Sequence, residues 1–194
     1  MPSMSTFEAR LCRSRPWRLF TRRVVLPWAI GRAPLSGEVL EVGAGSGDVA
    51  AELLAAHPDV RVTATDYDDE MVAAAQRTLA TFGGRAHARQ ADAASLPFGD
   101  GSFDAGLSFL MLHHVGRWET ALAELARVVR SGGRVFVYDV LDTRVVRAAH
   151  AATRSPGLRF IQPPELRAAA AGLPLDDVRV RTSGPVFRLS GRKR

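Results

Sequence analysis

Residues 39–48 read Val-Leu-Glu-Val-Gly-Ala-Gly-Ser-Gly-Asp: an apolar strand runs into three alternate glycines and then into helix-like sequence with Val49 and Leu53 four apart. A turn that tight between a buried strand and a helix brings backbone close to a ligand at the helix N-terminus. It also fixes what must follow, because a strand that enters a helix this way belongs to a parallel sheet.

The rest of the chain repeats the alternation. Val60, Val62 and Ala64 alternate as a strand does, and Met71, Ala75 and Leu79 recur at helical spacing. Arg85 to Asp92 and Phe103 to Phe109 read as extended, Leu122, Leu125 and Val129 as a helix row, and Arg134 to Val140 as a fifth strand. Near the C-terminus, Val178 to Thr182 and Val186 to Ser190 are separated only by Ser183-Gly184-Pro185, a connection short enough to force an antiparallel pair. The expected fold is α/β: a doubly wound, mostly parallel seven-stranded Rossmann-like sheet with an antiparallel last strand, binding its ligand at the carboxyl edge.

The loop chemistry narrows the ligand. A dinucleotide fingerprint wants its third glycine at position 48, where this chain has Asp48, a carboxylate that would sit against a pyrophosphate. No lysine precedes Lys193, so no phosphate-loop lysine exists. The loop therefore suits a ligand without a phosphate chain, and a nicotinamide enzyme is disfavoured.

Composition excludes other classes. The 194 residues, 46% hydrophobic and 24% charged, suffice for one core. The single Cys12 permits neither an internal disulfide nor a cysteine-based metal site. The apolar run Val24 to Ile30 is far below the roughly 20 residues of a membrane span, and Pro27 interrupts it. A cytoplasmic protein is expected, with peripheral membrane contact as an option. The net charge of +6 is unevenly spread: residues 1–34 carry seven Arg against one Glu, residues 35–154 carry 16 acids against 11 Arg, and residues 155–194 carry eight Lys and Arg against three acids.

The ordered motifs resemble the class I S-adenosylmethionine-dependent methyltransferases, whose first motif is an acidic residue followed by alternate glycines. Here it is Glu41-Val-Gly43-Ala-Gly45-Ser-Gly47, followed in order by Thr65-Asp66-Tyr67, Gln90-Ala-Asp92-Ala93, Ser102-Phe103-Asp104 and Ser131-Gly132-Gly133. These cover about residues 35–142. The resemblance implies S-adenosyl-L-methionine as cofactor, held by Glu41, Gly43, Ala44, Gly45 and Gly47. Asp66 would take the ribose hydroxyls and Tyr67 the adenine face. Asp92 would take the adenine amino group beside the Ala93 backbone, and the backbone of Ser108 and Phe109 the amino-acid moiety. The chemistry agrees, since a sulfonium carrying an ammonium and a ribose diol calls for carboxylates. The plainer roles for these acids are a turn for Asp66 and a helix cap for Asp92.

Methyl transfer is an in-line displacement, so catalytic residues can be few. His113 and His114 follow the fourth strand. On an extended backbone only one imidazole can face the cleft, and His113 is the candidate base, its alternative being a partly buried histidine bonded to backbone. Tyr138 and Asp139 are second candidates, with edge-strand packing as their alternative. No metal site is expected, because no H-x-x-x-H spacing or carboxylate-histidine cluster is present.

The organisation expected is a basic amphipathic arm or lid over residues 1–34 and a single methyltransferase domain over 35–194. In the arm, Trp17, Leu19, Phe20, Val24, Val25 and Trp28 interleave with Arg15, Arg18, Arg22 and Arg23, which suits a lid helix or an interfacial anchor. Nucleic acid is not expected, for want of a reading module. The segment Leu141 to Pro163, with Arg144, Arg147, His150 and Arg154, is the candidate acceptor wall. The function expected is methylation of a small-molecule O, N or C nucleophile. A lipid or quinone acceptor, or a non-catalytic cofactor-binding module, are the alternatives.

Overall fold

The computed structural model describes residues 14–31, 34–153 and 158–194. The first part of the expected arm, Cys12 and Arg154 lie outside them, as do the side chains of Arg15, Trp17 and Arg18.

A short helix α1 (Arg15–Phe20) continues through a wider turn, Thr21–Val25, into α2 (Leu26–Ile30). The alternation then follows: β1 (Gly37–Val42), α3 (Asp48–Ala56), β2 (Val60–Asp66), α4 (Asp69–Leu79), β3 (Ala86–Gln90) and β4 (Phe103–Phe109). After it come α5 (Trp118–Val128), β5 (Val129–Val140), α6 (Arg144–Thr153), α7 (Pro163–Gly172), β6 (Leu175–Ser183) and β7 (Val186–Lys193). The strands form one sheet in the order β3-β2-β1-β4-β5-β7-β6. All neighbours are parallel except β7, which runs antiparallel to both β5 and β6. The expected architecture is the observed one.

Local chemistry sets the elements. Asp68 caps α4, its carboxylate accepting from the N–H of Glu70 at 2.8 Å, and Met71, Ala75 and Leu79 then bury one helix face. The sheet separates two apolar layers. On one face Val39, Leu107, Phe136 and Tyr138 pack against Leu53 and Leu54 of α3. On the other, Leu40, Val42, Val135 and Val137 pack against Trp118, Leu122 and Leu125 of α5 and Leu166 of α7.

One expectation needs correction. Val129 begins β5 rather than ending the preceding helix, and the register slips between Phe103 and Ala105, so Ser131-Gly132-Gly133 lies inside a bulged strand start and not in a turn before it. The second half of the arm packs on the sheet. Val25 and Ala29 are each 1% exposed within the same layer as α3, and Trp28 meets Tyr138 edge-to-face at 5.4 Å. Arg22 pairs with Glu52 of α3 at 3.2 Å, and the Arg188 guanidinium donates to the Trp28 carbonyl at 2.5 Å. The apolar side of α2 is thus spent on the sheet.

Candidate active site

The strand order reverses between β1 and β4, so the crevice expected for a ligand opens beyond their carboxyl ends. The glycine loop flanks it on one side and the β4 exit on the other.

The loop is tied down by the end of β2. The N–H groups of Gly43 and Ala44 both donate to the Thr65 carbonyl, at 2.8 and 2.9 Å, and the Gly45 N–H donates to Asp66 Oδ2 at 2.8 Å. The glycines serve different ends. A side chain on Gly43 would run into Met111, whereas one on Gly45, where φ is +54°, would meet nothing within 4 Å. Gly43 therefore makes room for the protein, and Gly45 leaves an open cradle. Gly47 caps α3 in a left-handed conformation.

Asp66 receives the Gly45 N–H on one oxygen and the Asp68 N–H on the other, at 3.0 Å. Each oxygen keeps a lone pair, which is what a ribose diol would use. Burial raises its pKa, and those N–H groups only partly offset the rise. Glu41 is 2% exposed, and its Oε2 has no hydrogen-bond partner among the described residues. Burial, then the charges of Asp66 and Asp48, push its pKa up to about 8 against the N–H of Ala50. The loop edge gathers the carboxyl groups of Glu41, Asp66 and Asp48, which fits an ammonium-bearing sulfonium and not a diphosphate.

The other sequence-derived residues divide. Tyr67 is 41% exposed at the loop edge, as a stacking platform requires. Asp92 spends one carboxylate oxygen on the Ala94 N–H at 2.9 Å, shaping the turn that holds Ala93, and so takes the turn role as well. Ser108 lies inside the ladder, registered with Val42 on one side and Val137 on the other, and Phe109 is buried in the core. The first backbone past the ladder at this edge is Leu110, held at φ +53°, an uncommon conformation for a side chain of its size.

His113 lies in a single 3-10 turn, Leu112–His114, not in an extended segment. Its ring and that of His114 therefore lie side by side, 4.1 Å apart, rather than on opposite sides. The His113 Nδ1 meets Asp139 Oδ1 at 2.5 Å, and the Val140 N–H donates to the same oxygen at 2.6 Å. Burial alone would raise the pKa of Asp139, but the charge and hydrogen bond of His113 hold it below the usual carboxylate range. An ionised Asp139 only accepts, so Nδ1 carries a proton, and Nε2 is the ring nitrogen left to meet an acceptor. His150 of α6 stands 5.2 Å from the His113 ring, and Phe160 backs His150 at 5.4 Å.

Sequence reading missed this pairing. Asp139 sits on β5 between β4 and β7, so the edge-strand account of it and of Tyr138 does not hold. The signal was the adjacency of β4 and β5: Phe109 is registered with Tyr138, which sets Asp139 beside the turn that follows Leu110. Among the described residues no group of three His, Cys, Asp or Glu side chains could hold a metal, and no helix is long and apolar enough to cross a membrane.

Comparison with known proteins bears on the same segment. A methyltransferase-domain family model matches residues 39–133. A ubiquinone/menaquinone biosynthesis C-methyltransferase of Geotalea daltonii is 33% identical over 139 residues, 70% of this chain and 57% of that protein. A demethylmenaquinone methyltransferase of Thermus thermophilus is 35% identical over 118 residues, 61% of this chain and 53% of that one. The chain thus spans a little over half the length of these curated relatives. A methyltransferase structure from Thermotoga maritima superposes with a TM-score of 0.75 at 20% identity, covering 97% of this chain and 98% of its own, and this likeness supports the fold. The matched domain, the sheet order and the loop together place the chain in the class I S-adenosylmethionine-dependent methyltransferase family.

Proposed function

We propose that the chain transfers a methyl group from S-adenosyl-L-methionine to an O, N or C nucleophile of a small molecule. The observation that carries this reading is the buried Glu41 Oε2, which has no hydrogen-bond partner among the described residues and lies close enough to Asp66 for that charge to raise its pKa. Glu41 would hold the ammonium, Asp66 the ribose hydroxyls, Tyr67 the adenine face and Asp92 with the Ala93 backbone the adenine edge. The open cradle at Gly45 leaves room for the ligand, and the backbone at Leu110 would border its amino-acid end. When bound, the cofactor supplies an electrophilic methyl carbon on a sulfonium. His113, with Nδ1 bonded to Asp139, offers Nε2 to an acceptor hydroxyl, amine or activated carbon and takes up its proton. The imidazolium that results is stabilised by the Asp139 carboxylate. Only 4% of the His113 side chain is exposed, so the acceptor must reach it beside α6.

A lipid-soluble quinone is the second reading of the acceptor, favoured by the two quinone-pathway relatives above. Calorimetry tests the cofactor: S-adenosylhomocysteine should bind and NAD should not, and the reverse result ends the proposal. Incubation with methyl-labelled cofactor and a cell extract tests turnover. Label in a polar product supports the first acceptor and label in the lipid fraction the second. Its absence from every fraction leaves a binding module.

A further inference from the structure

We propose that the open face of the β6–β7 hairpin, together with the outer flank of the Thr21–Val25 turn and α2, docks the protein on an anionic lipid bilayer.

Side chains alternate along these strands. Val178, Val180, Phe187 and Leu189 point into the layer occupied by α7. The opposite face carries arginines in register: Arg181 directly faces Arg188 across the β6–β7 pair, and Arg134 faces Arg192 across β5–β7. Arg179 stands one step along from Arg181 on the same face. Like charges directly opposite one another cost stability. Arg188 is held by the Trp28 carbonyl, and Arg192 by the Gly132 carbonyl with Asp176 opposite it, but Arg134, Arg179 and Arg181 are exposed and have no acidic partner among the described residues. A polyanion outside the molecule would supply the missing charge.

The neighbouring helical segment decides which polyanion. Arg22 and Leu26 face α3, Arg22 through its ion pair with Glu52. Trp28, on the other flank, rests against Tyr138 with the Arg188 guanidinium 5.6 Å from its ring centre. Val24, four residues earlier on that flank, is 49% exposed, and Arg23 beside it is exposed as well. An aliphatic side chain bordering a sheet of arginines gains by entering the boundary between headgroups and acyl chains. Val24 offers nothing to a nucleic-acid base, and the Trp28 ring beside it is already taken up by Tyr138 and Arg188. Arg181 and Arg188 sit toward the carboxyl end of β5, the end that carries Asp139, so docking would bring the catalytic edge near the membrane.

The test is flotation of the full chain with vesicles of phosphatidylcholine alone or mixed with phosphatidylglycerol, at low and high salt, and it needs neither cofactor nor turnover. Binding to the anionic vesicles only, weakened by salt, is expected. Arg179→Glu combined with Arg181→Glu should lower partitioning at least about 25-fold, at about fivefold for each surface charge. Val24→Asp should lower it and Val24→Leu should retain it, with an unchanged thermal midpoint as the control for folding. The proposal is overturned if the wild-type chain stays in solution with anionic vesicles, if the double charge reversal floats like wild type, or if single-stranded RNA binds more tightly than the vesicles at equal salt.

Discussion

Two buried carboxylates lie at the carboxyl edge of the sheet, and they behave in opposite ways. Glu41 ends β1 at 2% exposure and Asp139 ends β5 at 0%. Burial penalises the charge on both. Glu41 has an oxygen with no partner and two acidic neighbours, and its pKa is pushed up to about 8. Asp139 has an imidazole at 2.5 Å and a backbone N–H at 2.6 Å, and it is held below the ordinary range. Depth is therefore not what distinguishes them; the partner is. One half of the site carries its own hydrogen-bonding partner, and the other keeps a buried carboxyl oxygen without one.

That contrast can be broken most severely at Asp139. Asp139→Asn keeps the shape but removes the charge that fixes the His113 tautomer, so kcat should fall by about 10²–10⁴ while affinity for S-adenosylhomocysteine stays at the wild-type value. His113→Gln should cost as much, and the double variant little more, because the two act as a unit. Steady-state kinetics alongside calorimetry reads both quantities. Loss of cofactor affinity in Asp139→Asn would merge the two halves into one. The converse prediction concerns Glu41→Gln, which removes a charge-assisted contact and should weaken S-adenosylhomocysteine binding by about 10- to 100-fold.

Local pattern made one half of the site legible and left the other dark. Glu41, Asp66 and the alternate glycines lie next to the strands that position them, so composition and spacing expose them directly. His113 and Asp139 are 26 residues apart and meet only because β4 and β5 are neighbours with Phe109 opposite Tyr138. Periodicity along a chain carries no register between strands. The same limit explains the arm: its apolar residues showed in the sequence, but their burial against Tyr138 and α3 depended on an uncovered stretch of sheet that no local pattern reveals. The β6–β7 hairpin was legible because a connection as short as Ser183-Gly184-Pro185 forces an antiparallel pair, and the structure pairs even Ser183 with Val186.

The glycines sharpen the comparison on a smaller scale. Gly43→Ala places a methyl group where Met111 already lies, at φ +72°, and should destabilise the fold by about 1–3 kcal/mol, or about 2–12 °C in Tm at this chain length. Gly45→Ala meets only the cost of its positive φ, about 1 kcal/mol, but fills the open cradle. Thermal melts with and without S-adenosylhomocysteine separate the two. Gly43→Ala should lower both midpoints, and Gly45→Ala should lose the shift that the ligand gives.

The pH dependence of stability tests the unpartnered carboxylate before any ligand is present. Below pH 4.5, the ordinary value, Glu41 is protonated whether the chain is folded or unfolded, and its contribution to stability is fully present. Between that value and about 8 the unfolded chain releases the proton and the folded chain keeps it, so stability falls by about 1.4 kcal/mol per pH unit, and the fall ends once the folded state ionises as well. Asp66, also raised by burial, adds a slope of the same sign in wild type and variant alike. The quantity to measure is therefore the difference in urea unfolding free energy between wild type and Glu41→Gln across this range. It should move steadily against wild type as pH rises and level off near 8. A difference independent of pH would mean that Glu41 is already ionised and satisfied, and the two carboxylates would then be alike. Saturating S-adenosylhomocysteine brings the ammonium that the ionised form lacks, so it should flatten the wild-type slope and release protons from Glu41 as it binds at neutral pH.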